Sequence, residues 1–408
     1  MNIIEGGVTA AKGFMAASVR AGIKASSTKT DMAMIYSEVP CNVAGTFTKN
    51  KVKAAPVKWD QHIVYDCKVA QAVVCNSGVA NACTGKQGMD YCEEMAEATA
   101  KALEISKESV LVASTGVIGA QLPMDKICDG ISQLAPKLSG DLEAGHDAAV
   151  AIMTTDTRPK EIAYEFEIDG KKVVVGGMCK GSGMIHPNMC TMLGFITTDI
   201  NISQELLQEA LSEDIKDTFN MVSVDGDTST NDTVLLMANK EAGNDIITEK
   251  NDDYYKFVEA LHNVNVFLCR NIAGDGEGAT ALLEVKIVGA KSTEQAKILA
   301  KSVVTSSLVK AMICGHDSNC GRIMCALGYA DTDLDPDTVD LYFESKAGKL
   351  KIVENGVPTD YDEEFATKIL SECEVTVIAD VKMGEEEATA WGCDLTHEYV
   401  SINADYRS

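Results

Sequence analysis

Hydrophobic positions along this chain fall into short runs of β-branched and aliphatic residues, separated by longer stretches in which apolar residues recur every three or four positions. The runs predict strands at 71–74, 110–113, 172–177, 192–198, 233–237, 265–268 and 281–288, most with Gly, Asn or Asp nearby to end them. The longer stretches predict helices. Residues 87–104 place Met89, Cys92, Ala96, Ala100 and Leu103 at helical spacing, and 203–213 opens on Ser203 with Leu206, Leu207 and Ala210 on one face. Ser292 and Gln295 form the S-x-x-Q of a capping box ahead of a helix over 296–314. Strands mixed with helices in this way predict an α/β or α+β fold. Polar breaks are expected at 239–253, an acidic Asn-rich loop, and at 331–338, where four Asp and Pro336 crowd together.

Length and composition narrow the class. At 408 residues, with 46% hydrophobic and 24% charged residues and 8 Pro, the chain is a large globular one of two or three domains or two lobes, not a disordered or fibrous one. Its net charge of −25 repels phosphate backbones and anionic lipid, so neither nucleic acid nor a membrane is expected as a partner. No apolar run is long enough for a transmembrane helix and the first residues do not read as a signal peptide, so the expected location is cytoplasmic. The 14 cysteines are dispersed without a C-x-x-C pair and read as reduced, buried thiols. The spacing of Cys314, Cys320 and Cys325 is unlike that of zinc ligands, so no metal is expected.

Three loops carry familiar-looking motifs that fail on physical grounds. Gly274 to Ala279 (GDGEGA) leads into a strand and holds two acids that would repel a pyrophosphate, so it is not a dinucleotide loop. Asp225 to Asp232 (DGDTSTND) begins like a calcium loop, but Thr230 stands where Gly is needed and Leu236 where a bidentate Glu is needed; Asp225 and Asp227 are left to order a polar turn. Lys180 to Gly183 (KGSG) lacks the spacing of a phosphate-binding loop.

The segment around that last loop is different. A polar, Lys-bearing stretch runs through Pro187 and Asn188 into an apolar strand, placing the Thr191 hydroxyl at the mouth of a buried element. A threonine opening a strand is ordinarily structural, because its hydroxyl has no base beside it. Cleavage of the preceding peptide bond would supply one, since the freed α-amine, with a pKa of about 7.7 to 8.0, can accept the hydroxyl's proton near neutral pH. KGSGMIHPNMCTMLGFITTD, from Lys180 to Asp199, resembles the self-cleavage segment of the ornithine acetyltransferase family, the ArgJ-type bifunctional glutamate N-acetyltransferases of arginine biosynthesis. Further matching stretches lie along nearly the whole chain: GGVTAAKG from Gly6, VKAAPV from Val52, NSGVANACTG from Asn76, STGVIG from Ser114, MTTDT from Met153, DGDTSTND from Asp225, DGEGAT from Asp275 and INADYRS from Ile402.

The resemblance implies layered sheets with helices of the ArgJ/DmpA-like kind, and a precursor cut between Cys190 and Thr191 into an α-chain (1–190) and a β-chain (191–408) of one folded unit, assembling as α2β2. It implies a ping-pong acetyltransferase in which the Thr191 hydroxyl takes acetyl from N2-acetylornithine and passes it to glutamate, without metal or redox cofactor. Acetyl-CoA remains open as a second donor. Thr115 and Gly116 map to the oxyanion hole, and Thr154, Lys180, Thr191, Glu277, Asn403 and Ser408 to substrate contacts. Several positions depart from the family pattern: Cys190 and His186 stand for Ala, Val79 for Asn, Cys320 for Trp, Ala281 for Lys and Ser408 for Thr. Two alternatives accompany this reading: an amidohydrolase of the related self-cleaving aminopeptidase type, in which water is the acceptor, and an uncleaved binding protein that has lost turnover.

Overall fold

The structure is a computed structural model that describes residues 1–24, 28–186 and 192–405. In chain order its strands are β1 (Asn2–Ile4), β2 (Phe14–Val19), β3 (Met32–Phe47), β4 (Val69–Val79), β5 (Val110–Val117), β6 (Lys160–Ile168), β7 (Lys171–Lys180), β8 (Leu193–Thr198), β9 (Val222–Ser223), β10 (Thr233–Ala238), β11 (Leu282–Ala290), β12 (Asp340–Ser345), β13 (Gly348–Glu354), β14 (Val357–Pro358), β15 (Glu374–Asp380) and β16 (Glu386–Cys393). They form two sheets. The nine-stranded one runs β1-β6-β7-β8-β10-β3-β4-β5 with β2 beside β3, and the seven-stranded one runs β14-β13-β12-β15-β11-β16-β9. Both are mixed: β8 is parallel to β10 and antiparallel to β7, and β4 is parallel to β5. The expected layered α/β architecture is therefore present.

At the centre of the larger sheet, β8 and β10 are buried at every residue. That is why LGFITT and TVLLMA read as continuous runs instead of alternating ones: both faces of these strands are covered. The helix Asp252–Gly274 packs against β6 and β7 of the larger sheet and against β9, β11 and β16 of the smaller, joining the two through one core. The opposite face of the larger sheet buries Ala148, Ala149, Ala151 and Ile152 from the end of the helix Leu142–Ala151. Strands β8 and β10 both follow residue 190 yet lie between β7 and β3, so the segments 1–190 and 191–408 share one sheet and are not separate domains.

Six of the seven predicted strands are strands in the structure; the seventh is a correction. Residues 265–268 lie inside the helix Asp252–Gly274. Their local strand preference, worth about 1 kcal/mol across the residue scale, loses to a stripe that runs the length of the helix. Tyr254, Phe257, Leu261, Val264, Leu268 and Ile272 are all buried on one face, at about 1.5–3 kcal/mol for each fully buried large side chain. The Asn251 side chain caps this helix by accepting from the Tyr254 N–H at 3.0 Å. The predicted helix 296–314 is two helices, Thr293–Thr305 and Ser307–Cys314, because Ser306 leaves helical geometry and its hydroxyl caps the second through the Val309 N–H. Ser292 caps the first as expected, but the Gln295 side chain accepts from the Lys291 N–H and not from the cap residue's own. The acidic stretch 239–253 is loop until Asp252 starts the long helix, and Asp331 to Asp335 lie in an exposed turn ending in the short helix Pro336–Thr338.

One buried carboxyl gives the fold a pH dependence. Asp60, on the helix Ala55–His62, accepts from the Val112 N–H of β5 at 2.8 Å through Oδ1. Its Oδ2 is buried without a hydrogen-bond partner among the described residues. Burial pushes this carboxyl well above the ordinary range, against the Val112 bond. An unfolded Asp loses its proton near pH 3.9, so above that pH the folded state holds a proton the unfolded state has released, and stability falls as pH rises through the folded pKa. Asp60→Asn keeps the acceptor and removes the titration. Melting curves should show the variant gaining on the parent between pH 4 and pH 8; parallel curves over that range would reject this assignment.

Candidate active site

The site begins where two parallel strands end. In the β4–β5 register Ser77 pairs with Thr115 and Gly78 with Gly116. Gly116 has φ +127°, a region that favours glycine, and a Cβ there would stand 2.3 Å from the carbonyl carbon of Gly78 and 2.5 Å from its oxygen. The strand tips thus meet backbone to backbone, which only glycine permits. Across them lies the loop from Asp225 to Asp232. Its buried Asn231 donates through Nδ2 to the carbonyls of Ser114 (2.8 Å) and Ala80 (2.6 Å), closing the strand ends while Thr115 and Gly116 remain at the wall of a cleft.

Three further segments complete that cleft, which is lined among others by Thr115, Gly116, Thr154, Lys180, Glu277 and Asn403. Lys180 is the last residue of β7, opposite Leu193 of β8, and is only 3% exposed, with no ion-pair partner among the described residues. Thr154 follows the helix Leu142–Ala151, and its N–H is fixed by Asp156 Oδ2 at 3.0 Å. Glu277 sits in the loop between the long helix and β11, where its N–H donates to the Ser182 carbonyl at 2.8 Å and its Oε2 accepts from Asn403 Nδ2 at 2.8 Å. Asn403 arrives on the helix His397–Asp405. That helix is docked by the Tyr399 hydroxyl on Asp225 (3.2 Å) and packs so closely on Gly278 that a Cβ there would lie 2.7 Å from the Tyr399 nitrogen. Asp225 also accepts from the N–H groups of Ile185 (2.9 Å) and Asp227 (3.2 Å), which makes the polar turn expected of it.

The charges behind the cleft are buried and paired. Lys160 Nζ lies 2.7 Å from Asp156 Oδ1 and 2.6 Å from Asp275 Oδ2, with the side chains 0%, 0% and 4% exposed. Burial alone would raise the Asp156 carboxyl, but the Lys180 and Lys160 ammoniums and the Gly181 N–H hold it well below the ordinary range. Lys24 is a second cation nearby. It donates to the Met153 carbonyl at 2.6 Å, and burial together with the Lys180 charge holds it below the usual lysine value, against the pull of Asp31. Asp232, fully buried, accepts from the Met192 N–H at 3.2 Å, and burial pushes its carboxyl well up despite that bond.

Thr191, Cys190 and Ser408 lie outside the described residues. Of the departures from the family pattern, Val79, Ala281 and Cys320 do not line the cleft. Val79 accepts from Asn76 Nδ2 through its backbone, Ala281 donates to Asp394 through its own, and Cys320 opens the helix Cys320–Gly328. His186 contacts Ser223 Oγ at 3.3 Å, and burial lowers its pKa. Among the described residues no three His, Cys, Asp or Glu side chains are grouped to hold a metal ion, and no helix is long and apolar enough to cross a membrane. Sequence reasoning assigned no role to Asp156, Lys160, Asp275, Asn231 or Lys24. The available signals were the i, i+4 spacing of Asp156 and Lys160 and the presence of Asp156, Asn231 and Asp275 within matched motifs. A larger cleft of about 400 Å³ around Arg270 and Lys346 has its charges already engaged, Arg270 with Glu284 and Glu374 and Lys346 with Glu372.

This geometry agrees with what the chain is similar to. A family model described as "ArgJ family" matches residues 15–408. The arginine biosynthesis bifunctional protein ArgJ of Thermotoga neapolitana is 51% identical over 398 residues, 97% of this chain and 99% of its own. ArgJ 1 of Clostridium acetobutylicum is 52% identical over 399 residues, 97% and 96% of the two chains. A crystal structure of the arginine biosynthesis bifunctional protein from Bacillus halodurans, 43% identical, superposes with a TM-score of 0.51 over 53% of this chain and 100% of that one. A match of this extent and identity shows descent from a common ancestor, and the chain belongs to the ArgJ family.

Proposed function

We propose that this protein is an acetyltransferase of arginine biosynthesis that moves acetyl from N2-acetylornithine to glutamate through an ester on Thr191, after cutting itself between Cys190 and Thr191. The observation that carries the reading is the convergence, in one cleft, of a carboxylate, an ammonium and a glycine-tipped strand, with β8 starting at its edge. Each matches a part of the donor. Lys180 suits the α-carboxylate, Glu277 suits the cationic side chain, and the N–H of Gly116 with the hydroxyl of Thr115 suits the oxygen of the acetyl carbonyl.

The chemistry follows from those places. The free α-amine of Thr191 takes the proton of its own hydroxyl as the oxygen attacks the acetyl carbon, and Thr115 and Gly116 hold the oxyanion. Collapse breaks the amide bond; the proton passes to the departing nitrogen, ornithine leaves and the acetyl ester remains. Glutamate enters with its amine unprotonated, attacks the ester carbon and carries the acetyl away as N-acetylglutamate, returning the proton to Thr191 Oγ. Glutamate has two carboxylates facing a site that already contains Glu277, in a chain of net charge −25. Lys24 beside Lys180 supplies the second counter-charge on that side. The α- and β-chains would share the larger sheet, assemble as α2β2 and work in the cytoplasm. Acetyl-CoA as a second donor would enter at the same Thr191.

Thr191→Ala should abolish both cleavage and transfer. On denaturing gels the variant should run as one band, and intact mass of the parent β-chain after N2-acetylornithine should show an added acetyl group. A Thr191→Ala protein that still splits, or a parent that never carries acetyl, would sink the mechanism. Ornithine release independent of glutamate would favour the hydrolase instead. Gly116→Ala forces a Cβ into the Gly78 carbonyl, and loss of that oxyanion donor should lower kcat by about 10²–10³-fold; kcat within twofold of the parent would exclude Gly116 from the oxyanion hole. Glu277→Gln should raise KM for N2-acetylornithine by about 10- to 100-fold, the worth of one charged hydrogen bond. An unchanged KM would remove Glu277 from the donor's side-chain site.

A further inference from the structure

Three segments present groups to the cleft, and one buried ammonium joins all of them. The Thr154 segment is tied to Asp156, whose Oδ2 accepts from the Thr154 N–H at 3.0 Å. The end of β7 is tied to the same carboxylate, whose Oδ1 accepts from the Gly181 N–H at 2.7 Å, immediately after Lys180. The Glu277 loop is tied to Asp275, whose Oδ2 accepts from the Thr157 N–H at 3.1 Å and whose Oδ1 accepts from the Thr157 hydroxyl. Lys160 Nζ bridges the two carboxylates at 2.7 and 2.6 Å.

Such a triad is costly. Three charges taken from water are stabilised only by one another and by the few N–H groups they accept from, and apolar residues of the same volume often stabilise a core as well or better. Its two carboxylates outnumber its one ammonium, and the remaining negative charge is met by Lys180, which with Lys160 holds Asp156 ionised against its burial. The arrangement fixes distances between the Thr154, Lys180 and Glu277 segments that backbone pairing alone does not, since they come from a loop after a helix, a strand end and a helix–strand connection.

We infer that Lys160 is a positioning residue for the transfer reaction: bridging Asp156 and Asp275, it sets the spacing of Thr154, Lys180 and Glu277 to which the non-reacting ends of both substrates bind. This rests on the function proposed above. Thr115 and Gly116, on β5, are bonded to none of the triad, so substrate binding and acetyl chemistry should separate when Lys160 is changed.

The test uses Lys160→Met and the triple variant Asp156→Asn/Lys160→Met/Asp275→Asn, which removes all three charges at nearly constant volume and leaves none buried without a partner. Melting temperature, kcat and KM are measured for N2-acetylornithine and glutamate. Because a displacement of about 1 Å costs about 100-fold, KM for both substrates should rise about 30- to 100-fold in each folded variant, with kcat at saturation within about threefold of the parent. A purely structural triad would lower melting temperature or kcat and leave KM alone, and parental KM values in the folded triple variant would overturn the inference. A parent that transfers no acetyl from N2-acetylornithine would instead overturn the function on which it rests.

Discussion

The site depends on the way β8 is held between β7 and β10. Hydrogen-bonded along both edges and buried on both faces, β8 has no freedom to slide, and its register places Leu193 opposite Lys180 on one side and Thr233 on the other. A shift of one residue would turn every buried side chain to the opposite face. The segment between Lys180 and Leu193, which carries Thr191, is thereby anchored at both ends, and the β10 side brings the Asp225 to Asp232 loop over the tips of β4 and β5. Sheet pairing, more than any side chain, sets where the donors of Thr115 and Gly116 stand relative to the start of β8.

The second constraint is electrostatic. A chain of net charge −25 presents an unfavourable field to an anionic amino acid, and the cleft answers it locally. Lys180 and Lys24 lie close enough that each feels the other's charge, while Asp156 keeps the interior behind Lys180 from becoming too positive. Global charge sets which large partners are excluded; placement of two ammoniums over a buried triad sets which small one is admitted.

Much of the fold was legible in the sequence because local rules and tertiary packing agreed there. Ser203, Ser292 and Ser306 cap helices through their hydroxyls, and the continuous apolar runs at β8 and β10 are what strands covered on both faces require. The failure at residues 265–268 came from reading four residues in isolation, when the stripe that decides the matter runs from Tyr254 to Ile272. The glycine motifs were legible as loops, but their reason was not: Gly116 is needed because Gly78 lies against it, and Gly278 because the last helix does, and both partners are distant in sequence.

By itself the sequence determined the class of fold, most of its strands and caps, the exclusion of nucleotide and calcium loops, and the family through its motifs. These follow from short-range patterns: spacing, turn chemistry and the identity of neighbours. Only the tertiary structure decided that Thr115, Thr154, Lys180, Glu277 and Asn403 line one cleft, and that Lys160 stands behind it between Asp156 and Asp275. Asp275 lies 115 residues from Lys160 along the chain, and no local pattern encodes such a contact. It exists because the long helix, packed between two sheets, delivers its C-terminal loop to the end of β7, where burial makes a charge pair obligatory.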